Sequence, residues 1–458
     1  MISVTQTTGK APHPSTREGT SLVALIGIAV VLASVGIPLL ILEYVPLQDY
    51  GEWIFQSHIF NRLIAGEPSD TFSIRTYPVP YALSQLALSA LLIKFSPFAT
   101  SKLFLAAYLA LAGWAIWLVV RRNALSPKAV IYLAVAAVVG SCFWSGYMGY
   151  QLGLVIFCIY LGLTKDQRTH LGILVLFSVL LFFSHGLVFA SFCVAAGAYS
   201  LACKKHRVFA LAMVPTGLLT AVYLSSNKFV PVTNALELNG VVQFLMYKAY
   251  TITKLGAYQN LVVGQADDST IASVIPTVGL AANVIFALLA LAAVVLVLRR
   301  AIARPLQDGE PLAILLLFVG FLIMPTNAAG IANPGERLLY PMLILLAPAL
   351  FARTPLSRRL ANGMIASLAI GLCLTLLSVV SLPQKHEVAR SGASAGAATP
   401  SGSGDRVLYG HKATLFDYKI RETQRAWYKN EIPSQGLDFG TALIAQERGP
   451  GAAAPPQE

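Results

Sequence analysis

The stretch PLQDYGEWIFQSHIFNRLIAG, residues 46–66, places acids, amides and aromatics directly after a long apolar run. Helical spacing counted from Tyr50 predicts a helix with Trp53, Phe60, Leu63 and Ile64 on one face. Asp49, Glu52 and Gln56 lie on that same side, so the acids head the buried face, while His58, Asn61 and Arg62 fall opposite. An amphipathic segment of this kind suits a membrane surface rather than the hydrocarbon. Asp49 three residues before Glu52 also reads as a capping box, Asp49 accepting an amide hydrogen bond and Glu52 reaching back to the cap's own amide. Capping alone and capping combined with chemistry both stay open, because a carboxylate at a helix N-terminus can still face a site.

Working outward, the composition explains why that stretch stands out. The chain of 458 residues is 56% hydrophobic and 12% charged, with a mean hydropathy of +0.67, which defines a polytopic membrane protein. Apolar runs without strand-like alternation must be helices, since a helix closes its own backbone hydrogen bonds in lipid. The five cysteines, Cys142, Cys158, Cys193, Cys203 and Cys373, sit in apolar runs and have neither metal nor disulfide spacing. A net charge of +12 invites a nucleic-acid reading, but the basic residues flank apolar runs, and positive-inside topology explains them without nucleic acid.

Residues 1–20 read as a polar cytoplasmic tail, and 21–42 as a first span that delivers the quoted stretch to the far side. Residues 81–95 cover only about 22 Å and are interrupted by Ser84, Gln85, Ser89 and Lys94, so they read as a second juxtamembrane helix. Charge then sets the topology. If 81–95 does not cross, Lys10, Arg17 and the clusters around Arg121, Lys165, Lys204, Arg299 and Arg358 all fall inside. They hold 16 of the 33 basic residues against four of the 21 acids, and the remaining 17 of each sign balance outside. Further spans are expected at 98–120, 129–143, 152–164, 171–183, 187–202, 208–224, 271–298, 312–324, 338–351 and 364–382. The expected fold is an all-α polytopic membrane protein with about eleven transmembrane helices, filling 21–382, and two juxtamembrane helices in the first external loop. Residues 383–458 form an external tail with a Gly/Ala/Ser linker at 391–404; the aromatic-bearing part after it is too short to hold a core alone and should dock on the external loops.

An Asp-headed amphipathic helix in the first external loop, a second juxtamembrane helix ending near Lys94, and a span closing on Arg121 and Arg122 together resemble the opening module of the GT-C class of membrane glycosyltransferases. The likeness covers roughly residues 22–203, and more loosely 333–350. It implies a lipid-linked sugar phosphate as donor and Asp49 as base or metal ligand, with Glu52 a nearby substitute. Many members of the class carry a second acid in the next external turn. Here that turn reads WSGYMGYQ, residues 144–151, and has none. Asp267 and Asp268 are the external acids that could complete a divalent site for Mg or Mn, or else cap the following helix.

Sugar transfer from a polyprenyl phosphate to a glycan, lipid or protein acceptor needs a carboxylate to take the acceptor's proton and a cation to hold the departing phosphate. Arg337, in NPGER, opens a span at the external surface where a guanidinium can fork onto phosphate, or pair with Glu336. Arg75 and Tyr77, in SIRTYP, lie between the juxtamembrane helices. His185, in FFSHGLVFA, sits at a span end, where a satisfied packing role competes with a substrate contact. Asn333 could meet sugar hydroxyls or turn the chain, and Trp144, Tyr147 and Tyr150 could floor a sugar or form an interfacial belt. Rival classes are a transporter or flippase of lipid-linked precursors, and a non-catalytic assembly scaffold. The first is disfavoured by charges that avoid span centres and by the lack of a repeated half. No Walker or Rossmann motif is present.

Overall fold

A computed structural model describes residues 14–42, 45, 47, 49–67, 72–226, 240–259, 270–303, 309–328, 331–351, 355–380 and 444–446. Among the described residues the chain is all-α apart from two short ribbons. Helix α1 (Pro14–Ile41) leads into α2 (Tyr50–Ile64), strand β1 (Phe72–Ile74), α3 (Ala82–Leu92) and α4 (Pro97–Arg122). Next come α5 (Lys128–Tyr132), a π-helical turn (Leu133–Val138), α6 (Ser141–Trp144), α7 (Met148–Leu161), α8 (Lys165–Arg168), α9 (Leu171–Ser184), α10 (Gly186–Ala202), α11 (His206–Ser226) and α12 (Val241–Thr253). The remainder is α13 (Thr270–Ala303), α14 (Gly309–Ile323), the ribbon of β2 (Asn327–Ala328) and β3 (Ile331–Ala332), α15 (Pro334–Leu350), α16 (Pro355–Val380) and β4 (Ile444–Gln446). Strand β4 pairs antiparallel with β1, Phe72 opposite Gln446, which ties 444–446 to the loop between α2 and α3.

Of the eleven expected spans, five coincide with helices long and apolar enough to cross a membrane: Leu22–Ile41, Pro97–Arg122, His206–Ser226, Val274–Arg299 and Arg358–Val379. The other six expected spans fall on shorter helices. The longest of these, α10 and α15, have 17 residues, or about 26 Å, short of a ~30 Å hydrocarbon core. Helix α15 is almost wholly buried, so its surroundings are protein.

The expected span at 129–143 is a broken helix. It widens into the π turn, stops at Val139 and restarts as α6. The break frees backbone groups inside an apolar bundle, where each must find a partner. Tyr108 donates its hydroxyl to Val138 O (2.9 Å), and Tyr340 accepts from Ser141 N–H (3.0 Å). The fully buried Gln151, its amide turned to complement its neighbours, donates to Val138 O (3.1 Å) and accepts from Phe143 N–H (2.8 Å).

Helix α2 begins at Tyr50 as expected, and its buried arc differs from expectation. Tyr50, Ile54, Phe55, Gln56, Ser57, Ile59 and Phe60 are buried, Leu63 is half-buried, and Ile64 is 62% exposed. Asn61, expected on the solvent face, donates to Ser89 O (2.9 Å). The reason is that α2 packs on both α3 and α4, so the arc is wider than a single apolar stripe and centres on Phe55 and Ile59. The capping box does not form. Asp49 has φ −99° and ψ 5°, outside the extended region an N-cap uses, and its side chain makes no capping hydrogen bond.

Residues 255–259, which follow α12, are irregular and lie between α13 and α16. Tyr258 N–H donates to Asn283 Oδ1 and Tyr258 O accepts from Asn283 Nδ2, both at 3.0 Å. The Thr375 hydroxyl accepts from Gln259 N–H (2.8 Å) and donates to Ala257 O (3.0 Å). Gly256 is required by this approach: a Cβ there would stand 1.9 Å from Asn283 Oδ1.

Candidate functional site

The residues of interest meet at the end of the bundle where α1 runs into α2, α9 meets α10, and α7 and α15 begin. Asp49 is set against the turn before α7: its N–H donates to Ser145 O (3.0 Å). Gly146 has φ +77°, and a Cβ on it would lie 2.6 Å from the amide nitrogens of Asp49 and Tyr50, so only glycine lets the strand of chain holding the acid approach. Tyr50 pins the start of α2 by donating to Ser101 O (2.7 Å). Glu52 accepts from Gln56 Nε2 (3.5 Å), and Gln56 accepts in turn from Gln85 Nε2 (2.7 Å), a relay that locks α2 to α3.

His185 separates α9 from α10 and is fully buried. Its Nδ1 accepts from Leu187 N–H at 3.1 Å. A neutral imidazole held this way carries its proton on Nε2. That Nε2 lies 3.4 Å from Arg337 Nη1. Burial, then the neighbouring guanidinium, pushes the His185 pKa well below its ordinary value and keeps the ring neutral. Aromatic rings enclose the pair. Tyr81 and Tyr150 meet His185 edge-on at 4.5 and 4.9 Å, Trp53 stacks on Tyr81 at 5.8 Å, and the Arg337 guanidinium lies 4.4 Å over Tyr147.

Arg337 does not pair with Glu336. Consecutive helical positions diverge by about 100°, and Glu336 turns away. Its carboxylate accepts from Ser141 Oγ (2.8 Å) and Asn333 Nδ2 (2.7 Å) and lies 3.7 Å from Lys254 Nζ. Among the described residues the Arg337 side chain forms no ion pair, and its backbone carbonyl accepts from Tyr150 (2.6 Å). The Tyr147 ring lies under the Arg337 guanidinium, and burial raises its pKa.

Arg337, His185 and Asp49 are therefore brought to one region, with Glu52 on the next turn. Asn333 is adjacent, in a left-handed conformation (φ 48°), and its amide serves Glu336. Arg75 and Tyr77 belong to a neighbouring cluster. Arg75 donates to the Tyr77 hydroxyl, and Tyr77 packs on Tyr223 at 6.4 Å, close to Val79 and Phe182. Asp267 and Asp268 lie outside the described residues. Among the described residues no three His, Cys, Asp or Glu side chains come together as a metal site. The described carboxylates near Arg337 do not by themselves make up a Mg or Mn centre.

Sequence reasoning missed two parts of the site. Tyr81, with φ 77°, is a left-handed non-glycine residue at the start of α3, and tyrosine beside a proline gives no such signal. Lys254 was one basic residue of a long loop, without a sequence neighbour to mark it as the partner of Glu336. Comparison with known protein families, curated proteins and solved structures finds no match to this chain.

Proposed function

We propose that this chain is a membrane glycosyltransferase of GT-C architecture that moves a sugar from a polyprenyl phosphate to an envelope glycan, lipid or protein acceptor. The observation that carries this reading is the Arg337 guanidinium held 3.4 Å from His185 Nε2 within an aromatic box, with Glu336 diverted elsewhere. A buried guanidinium beside a neutral imidazole suits phosphate. The aromatic rings suit the apolar face of a sugar.

In the reaction proposed, the acceptor hydroxyl oxygen attacks the anomeric carbon and its proton passes to the Asp49 carboxylate. The bond from that carbon to the phosphate oxygen breaks, and its electron pair leaves on the polyprenyl phosphate, held by Arg337 and His185. The topology belonging to this reading has about eleven crossings of the cell inner membrane, a cytoplasmic N-terminus and an external C-terminus, which puts Asp49 and Arg337 on the external face.

The test is transfer of a radiolabelled sugar from polyprenyl phosphate in membranes carrying single variants. Asp49→Asn keeps shape and hydrogen bonding but accepts no proton, and should lower turnover by about 100-fold or more. Arg337→Lys keeps the charge, loses the fork, and should raise the donor concentration needed. Wild-type transfer by Asp49→Asn at equal protein level would overturn the assignment.

A further inference from the structure

Helix α12 is inside out for a helix at an aqueous surface. Its outward face carries Val241 (74% exposed), Val242 (71%), Leu245 (57%), Met246 (68%) and Tyr250 (57%), whereas Lys248 and Thr251 face the protein and are buried. Lys248 donates to Phe321 O (2.6 Å) and to Met324 O, satisfying carbonyls at the C-terminal end of α14. Gln243 is also exposed, but a helix that buries its lysine and turns its large apolar side chains outward has hydrocarbon, not water, as its outer solvent.

The segment after α12 gives an independent indication of depth. Asn283, which clasps Tyr258, lies nine residues inside the apolar run Val274–Arg299, and Thr375, which clasps Ala257 and Gln259, lies four residues from the end of Arg358–Val379. At ~1.5 Å per residue these positions are roughly 14 Å and 6 Å inside the ends of two helices fit to cross a membrane. Non-helical backbone at such depth is tolerated only where protein satisfies its N–H and C=O groups, and that is the service Asn283 and Thr375 perform.

We infer that residues 241–259 form a re-entrant membrane segment, with α12 laying its outer face against lipid acyl chains and 255–259 wedged between α13 and α16. The outer face of α12 continues the lipid-facing surface of the adjacent α13, where Val278 and Ile285 are 43% and 51% exposed.

The experiment uses the full chain in phospholipid nanodiscs, with the exposed thiols Cys203 and Cys373 changed to Ser. A nitroxide is attached at Leu245→Cys and, separately, at Tyr250→Cys, and its relaxation by molecular oxygen and by a water-soluble nickel chelate is measured. Glu67→Cys, on the exposed loop after α2, is the aqueous reference. The expected result is strong oxygen relaxation and weak nickel relaxation at both α12 positions, the reverse of Glu67. Nickel relaxation equal to that at Glu67 would place α12 in water, and protection from both reagents would place it against protein or a second copy; either result overturns the inference.

Discussion

Asn283→Leu is the perturbation that most directly tests how the bundle is closed. The asparagine amide makes two hydrogen bonds of 3.0 Å, accepting from Tyr258 N–H and donating to Tyr258 O, and leucine of similar size makes neither. An orphaned buried donor or acceptor costs about 1–3 kcal/mol, which puts the loss at about 2–6 kcal/mol for the pair. Side-chain hydrogen bonds between membrane helices average only about 0.6 kcal/mol, because the unfolded chain in lipid finds other partners. That discount applies less here. The bonds go to backbone of an irregular segment that has no helical partner of its own, so the upper estimate is the relevant one, reduced to about 2–4 kcal/mol for relaxation. The assay is reversible unfolding in bicelles by denaturing detergent, comparing wild type, Asn283→Leu and Asn283→Asp. The aspartate keeps the acceptor for Tyr258 N–H and, when protonated, the donor for Tyr258 O, so it should recover most of the stability at low pH. A leucine variant within about 0.5 kcal/mol of wild type would refute the idea that Asn283 satisfies the buried backbone.

His185 supplies a prediction in pH. Its folded pKa is depressed, so below the unfolded value near 6.5 the unfolded chain binds the proton that the folded chain refuses, and stability falls as pH falls, by up to about 1.4 kcal/mol per unit. In unfolding titrations from pH 7 to 5, His185→Gln should flatten that slope, and an unchanged slope would mean that the ring is not held neutral. For the topology, a reporter enzyme active only outside, fused after Gln384 or after Lys128, should be active at Gln384 and silent at Lys128, and the opposite pattern would reverse the orientation.

The elements of the site were largely legible and their meeting was not. Aromatic and amide periodicity from Tyr50 is local information, and α2 starts where that periodicity begins. Arg337 and His185 each stood out as polar groups at the edge of apolar runs. They are 152 residues apart, and no local pattern says that they face one another. The side of α2 that packs was misread because a wheel shows how apolar residues cluster, not how many neighbours a helix has. A lysine among apolar residues is normally assigned to water, and only the carbonyls at the end of α14 reveal why Lys248 faces inward.

The wedge at 255–259 also orders events in time. Its clasp on Tyr258 comes from a residue 25 positions later, and its clasp on Gln259 from one 116 positions later. While the chain is being inserted, 255–259 therefore has no place to settle, and its peptide groups must stay hydrated at the headgroups until both α13 and α16 have arrived. Assembly of this half of the protein is thus a late step, in which a polar loop leaves water only when its two wardens are present. A chain stalled before α16 would keep that loop on display, the kind of surface by which an unfinished membrane protein is distinguished from a finished one.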